Sequence, residues 1–132
     1  MNTKPILAYD CACAGASIAL RVNGNTHARA IGQSAQATEL VPTIDALLRE
    51  YGVAYTDLSA IVTTVGPGSF TGVRIGLAAL HGFVLVANIP VKLLTTLEAM
   101  AWQAAAREHA PETFYITLRA GKGEVYAQAF TR

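Results

Sequence analysis

The stretch that most constrains this chain is Thr63 to Gly76, T-T-V-G-P-G-S-F-T-G-V-R-I-G. An apolar run from Ala60 to Val65 has the length and β-branched content of a buried strand, and Gly66-Pro67-Gly68 ends it abruptly. From Thr71 to about Ala87 there is no proline, and Val73, Leu77, Leu80 and Val84 recur at a helical period. The stretch therefore predicts a strand, a glycine-rich turn and a helix.

Two physical readings fit that turn. In one, Gly66, Gly68 and Gly72 gather backbone N–H groups at a helix N-terminus, Ser69 and Thr71 add hydroxyls, and the whole forms a phosphate cradle. The Walker lysine is missing, so a P-loop is excluded. In the other reading the glycines allow close packing: Gly72, Gly76 and Ala79 share one narrow helical face on which another backbone can lie. Arg74 is the one basic residue near the turn, placed to pair with a carboxylate or a partner.

Elsewhere the pattern is regular. Pro5 to Asp10, Ala16 to Val22 and Thr26 to Ile31 read as three strands, the last two joined by an Asn23-Gly24 hairpin signal. Ser34 to Tyr51 reads as an amphipathic helix with Leu40, Ile44 and Leu47 on one face, Pro42 inside it and Gly52 as its stop. Ile89 to Leu94 reads as a strand. Thr95 and Glu98 fit a capping box for a helix running to about His109. Thr113 to Leu118 and Glu124 to Phe130 read as a closing hairpin. The order βββαβαβα describes an α/β lobe with a mixed sheet, like those of ribonuclease H and the actin-like ATPases. Residues 1–110 are expected to form that lobe and 111–132 the first hairpin of a truncated second one.

The 132 residues are 52% hydrophobic and 14% charged, which argues for a packed core and leaves apolar surface for a partner. A net charge of +1, with basic residues scattered along the chain, gives no stripe to track a nucleic-acid backbone. Neither a signal peptide nor a membrane span is expected. Cys11 and Cys13 lack metal or redox spacing and read as reduced thiols in a cytoplasm.

The run G-P-G-S-F-T-G-V-R-I-G-L, Gly66 to Leu77, resembles the signature of the bacterial TsaB (YeaZ) family, a subunit of the tRNA threonylcarbamoyladenosine machinery. Ile6 to Asp10, Glu39 to Pro42, Ile89 to Val91, Leu97 to Ala99 and Gly123 to Tyr126 follow in the family's order. One departure is plain: where similar proteins carry a D-A-R-x-G-E-V-Y run, this chain has Arg119-Ala120-Gly121-Lys122, a reversal of charge. The resemblance implies an actin-like, non-catalytic subunit pairing with a TsaD-like catalytic subunit. The assembly acts on adenosine 37 of tRNAs reading ANN codons, with a TsaE-like ATPase and with ATP and threonylcarbamoyl-AMP handled by the complex. This chain alone is expected to bind no cofactor or metal, to meet tRNA only through the complex, and to self-associate where the partner is lacking.

Candidate chemistry is sparse. Asp10, at the end of the first strand, stands where related folds hold a metal or approach a nucleotide, yet it equally suits a turn cap. Thr63 and Thr64 occupy the place of the second carboxylate a two-metal nuclease needs. His27, His81 and His109 have no ligand spacing, Ser69 does not satisfy G-x-S-x-G, and Glu124 and Tyr126 fit ordinary strand alternation. A stand-alone ATPase or sugar-kinase lobe and a glycoprotease-like peptidase are the rival readings. The partner surface is expected on the two long helices, at Leu40, Ile44, Leu47, Gly72, Arg74, Gly76 and Ala79.

Overall fold

In the computed structural model, which describes residues 3–132, β1 (Ile6–Asp10), β2 (Ala16–Val22) and β3 (Asn25–Ile31) form an antiparallel meander. Asn23 and Gly24 turn between β2 and β3 with φ of 51° and 79°, the left-handed pair that a two-residue hairpin requires. Two crossovers then add parallel strands, the first beside β1 and the second beside the first. They are α1 (Gln36–Glu50) leading to β4 (Ala60–Thr64), and α2 (Phe70–Ala87) leading to β5 (Val91–Leu94). The sheet order is β3-β2-β1-β4-β5. Next come α3 (Thr96–Ala105) and a separate hairpin of β6 (Thr113–Gly121) and β7 (Glu124–Thr131).

Alternation along the strands decides which face is covered. Leu7 and Tyr9, Ile18 and Leu20, and Ile61 point to one face and are buried with Leu40, Ile44, Leu47 and Leu48 of α1 and Leu80 and Phe83 of α2. Burying each such side chain stabilises the fold by roughly 1.5–3 kcal/mol. The opposite face carries Ala8, Ala19, Ala28 and Ala30 and is open. Thr95 caps α3 as expected: its hydroxyl accepts from the Glu98 N–H at 3.0 Å while the Glu98 carboxylate accepts from the Thr95 N–H at 2.7 Å.

Three expectations need correction. The α3 helix stops at Ala105 rather than near His109, its last turn tightening where the Arg107 N–H donates to the Ala104 carbonyl at 3.2 Å. The closing hairpin turns through Lys122-Gly123 alone, so its strands are longer than the apolar runs suggested. By length and composition α2 is apolar enough to cross a bilayer, contrary to the expectation that no such segment exists. Here it buries Gly72, Gly76, Leu80 and Phe83 and links two parallel strands, while Phe70, Leu85 and Val86 stand exposed.

Candidate functional site

The N-terminus of α2 meets the turn after β1, and both candidate clusters lie there. Ser69 caps the helix, its Oγ accepting from the Gly72 N–H at 3.1 Å, and its own N–H donates to the Ala12 carbonyl at 2.8 Å. The glycines permit this approach. A Cβ on Gly72 would stand 2.0 Å from the Cys11 carbonyl oxygen, and one on Gly68 would stand 2.2 Å from that of Ala12. The buried Gln36 side chain fastens the same turn from α1, donating to the Cys11 and Gly15 carbonyls at 2.9 and 2.6 Å. The carbonyls of Cys11 and Ala12 thus lie directly against Gly72 and Gly68, and their partial negative charge disfavours an anion at that contact. Gly66 is also engaged, its carbonyl accepting from the Thr96 N–H at 2.9 Å, while Thr71 is exposed.

Asp10 is spent on structure. Its carboxylate accepts from the Ala12 N–H at 3.2 Å and from the Thr64 hydroxyl on β4, so it caps its turn and ties β1 to the central strand. The neighbouring Thr63 hydroxyl is buried without a hydrogen-bond partner. Among the described residues no three of His, Cys, Asp or Glu gather as a metal site would require. His27 stacks on Tyr51 at 3.8 Å, and His81 and His109 are exposed. Cys11 and Cys13 are both free. Burial pushes the Cys11 thiol up to about 11, the Asp10 carboxylate adding to the rise and Gln36 opposing it, so it is not a poised nucleophile.

The expected partner surface is corrected residue by residue. Leu40, Ile44, Leu47, Gly72 and Gly76 are buried inside this chain, because the apolar stripe of α1 and the small-residue stripe of α2 both face the sheet. Arg74 is exposed and lies over the Phe70 ring at 5.3 Å, and Ala79 is half-buried. The outward faces of the same helices carry Val41, Leu85 and Val86, the last two 87% and 78% exposed. Val41, Ala79, Gly82 and Val86 line a groove of about 370 Å³ between them. Sequence reasoning passed over these residues because period alone cannot separate the buried from the exposed side of a helix as apolar as α2.

It also missed the open face of the sheet. Ala8, Ala19, Ala28 and Ala30, with Ser17, Val62 and Thr64, pave a cleft of about 500 Å³ that runs to Leu94 and Ala99 and has Asp10 at its edge. The period-two alanines of β1 to β3 carried that signal, since a strand face without large side chains leaves room for another layer.

A family model described as TsaD: tRNA N6-adenosine threonylcarbamoyltransferase matches residues 30–132. The tRNA threonylcarbamoyladenosine biosynthesis protein TsaB of Haemophilus influenzae is 34% identical over 133 residues, covering 100% of this chain and 56% of that protein. The TsaB of Escherichia coli is 34% identical over 128 residues, covering 96% and 55%. YeaZ from Pseudomonas aeruginosa superposes with a TM-score of 0.87 at 30% identity, over 98% of this chain and 61% of that one. RuvC of T. thermophilus, at a TM-score of 0.50 and 16% identity over 82% of this chain and 73% of that one, shares the fold alone. Sheet order, crossovers and the glycine turn thus define a ribonuclease-H-like, actin-like lobe of the TsaD-type class. Within that class the chain belongs to the TsaB (YeaZ) family. It spans little more than half the length of the curated relatives it matches.

Proposed function

We propose that this chain is a non-catalytic subunit in the formation of N6-threonylcarbamoyladenosine at position 37 of tRNAs reading ANN codons, supporting a TsaD-like catalytic subunit. The observation that carries the reading is the exposed apolar ridge of Val41, Leu85 and Val86 on the outer faces of α1 and α2, beside the groove lined by Ala79 and Gly82. Exposed apolar area of that kind is a cost in water unless a partner covers it. The inward engagement of Asp10 and the filled glycine turn support the absence of a nucleotide site in this chain, which disfavours the stand-alone ATPase reading. In the proposed assembly ATP and threonylcarbamoyl-AMP are handled by the partner subunits, a TsaE-like ATPase among them, and tRNA is met through the complex in the cytoplasm.

The test is reconstitution. Adding this chain to a TsaD-like subunit, a TsaE-like ATPase and a source of threonylcarbamoyl-AMP is expected to raise modified adenosine in tRNA well above the level without it. Isothermal titration of the chain alone with Mg-ATP is expected to show no micromolar binding. Saturable ATP binding that is lost in Asp10→Ala would overturn the non-catalytic reading.

A further inference from the structure

Gly82 lies inside α2, exposed, and nothing within this chain requires it to be glycine. A Cβ on Gly72 or Gly76 would stand 2.0 or 3.4 Å from the Cys11 turn, whereas one on Gly82 meets no atom within 4 Å beyond its own helix. Its backbone is ordinary right-handed helix. Glycine weakens a helix relative to alanine, so the open space over Gly82 is kept at a cost in stability. That space belongs to the groove of about 370 Å³ between α1 and α2, lined by Val41, Val86 and the rings of Tyr55 and Phe83, which stack 5.1 Å apart. Asp45, one turn beyond Val41 on α1, is half-buried and is the only charged residue in the lining. The Tyr55 hydroxyl donates to Asp45 Oδ1, and burial together with that carboxylate pushes the hydroxyl above its ordinary value, so it stays a donor. Oδ2 has no partner among the described residues: Arg49, one turn further on, makes no ion pair with it, and the ion pair they contain is Arg29 with Glu50.

We propose that this groove is the socket for one long basic side chain, arginine or lysine, carried by the TsaD-like subunit, its methylene stem lying over Gly82 and its cationic head on Asp45 Oδ2. The inference rests on the pairing proposed above and adds to it the side-chain chemistry that selects the partner. Shape and charge both argue for that occupant. An alkyl stem suits walls of Val41, Val86 and Ala79, which offer no hydrogen bonds, and a cation suits a carboxylate with one oxygen engaged and one free. A wholly apolar side chain seated there would strip water from Asp45 and give it no counter-charge, which is strongly unfavourable. An acidic one would meet like charge. The ridge of Leu85 and Val86 supplies apolar area with little direction, whereas a recessed carboxylate discriminates between partners and fixes their register.

Titration calorimetry of this chain against a TsaD-like subunit tests this, with wild type, Asp45→Asn and Gly82→Leu. Asp45→Asn keeps an oxygen for the Tyr55 hydroxyl and removes the charge. Its affinity is expected to fall about tenfold, and the weakening that the wild type shows between about 50 and about 300 mM salt is expected to shrink in it. Gly82→Leu fills the groove from an open position and puts a strong helix former in place of glycine. Its unfolding midpoint is therefore expected to equal or exceed that of the wild type while its affinity falls at least about thirtyfold. Wild-type affinity in both variants would overturn the socket and leave the pairing through the ridge intact. A loss in Gly82→Leu alone would also overturn it, since the groove would then take an apolar group. Should Asp45→Asn fail to fold, the wild type's salt dependence decides, and an affinity indifferent to salt counts against a basic side chain. Failure of the pairing itself reads differently, as no heat of binding from the wild type, and it overturns both.

Discussion

The Tyr9 hydroxyl donates to the Gly76 carbonyl at 2.7 Å, joining β1 to the second turn of α2 across 67 residues of sequence. This buried bond forms because the helix crosses Tyr9 and the Cys11 turn on a face without side chains. The signature run is therefore, in the first place, the means by which a helix is laid against a strand end.

Gly72 and Gly76 should differ sharply in what they tolerate. Gly72→Ala sets a methyl group 2.0 Å from a backbone carbonyl, whereas Gly76→Ala meets the Cys11 Cβ at 3.4 Å and Sγ at 3.5 Å. Urea unfolding is expected to show Gly72→Ala losing about 3 kcal/mol or more and Gly76→Ala about 1 kcal/mol or less, in the range of overpacking strain. Equal midpoints for the two variants would mean that the helix is free to shift away from the turn.

The fold was legible where local chemistry leaves little choice: Asn23-Gly24, the Thr95 and Glu98 box, and the apolar run ahead of Gly66 each specify one local geometry. The site was less legible. Leu40 and Val41 are adjacent and both apolar, and only the packing of α1 on the sheet makes one core and the other surface. Asp10 could be read as a turn cap, but its bond to Thr64 spans 54 residues and depends on β1 and β4 being neighbours. The partner surface was expected on α1 and α2 at seven residues, and five of them face inward, a distinction that helical period alone does not make.

Thr63 and Thr64 make a paired test of the Asp10 contact. Thr64→Val leaves the Asp10 carboxylate without its cross-strand donor and is expected to cost roughly 1–3 kcal/mol, while Thr63→Val removes a buried hydroxyl that has no partner and should be neutral or stabilising. Chemical denaturation of the two variants decides it. A loss at Thr63 as large as that at Thr64 would show that its hydroxyl is bonded after all.

Alkaline pH should weaken the fold. The Cys11 thiol is raised from 9.0 to about 11, and burial raises Tyr9 and Tyr55 as well. A raised folded value means that the folded chain keeps a proton the unfolded chain has released. The stability it contributes is intact below about pH 9 and is lost as pH climbs through about 11. For Cys11 this amounts to something on the order of 2 kcal/mol. Unfolding midpoints at pH 7.5 and 10.5 should therefore separate, and Cys11→Ala should narrow the gap. A wild-type profile flat to pH 10.5 would contradict the burial of these groups.

Hydrogen exchange should divide the chain. Both β6 and β7 lie in a two-stranded sheet that touches the remainder through α3, and Tyr115, Val125 and Tyr126 are exposed. Such a hairpin is marginal on its own. At concentrations where the chain is monomeric, amides from Thr113 onward are expected to exchange much faster than those of Ile61 to Thr64. Protection of both regions to the same degree would show that the hairpin shares the stability of the central sheet.

The most direct test of the central claim is the affinity of this chain for a TsaD-like subunit, measured by titration calorimetry with wild type and with the double variant Leu85→Asp, Val86→Asp. Both side chains stand outside the core, so the variant is expected to keep the wild-type circular dichroism and unfolding midpoint. Its affinity should fall at least a hundredfold, as expected when charge is placed in the apolar centre of an interface. Unchanged affinity in the folded double variant, or no binding by the wild type, would contradict the account.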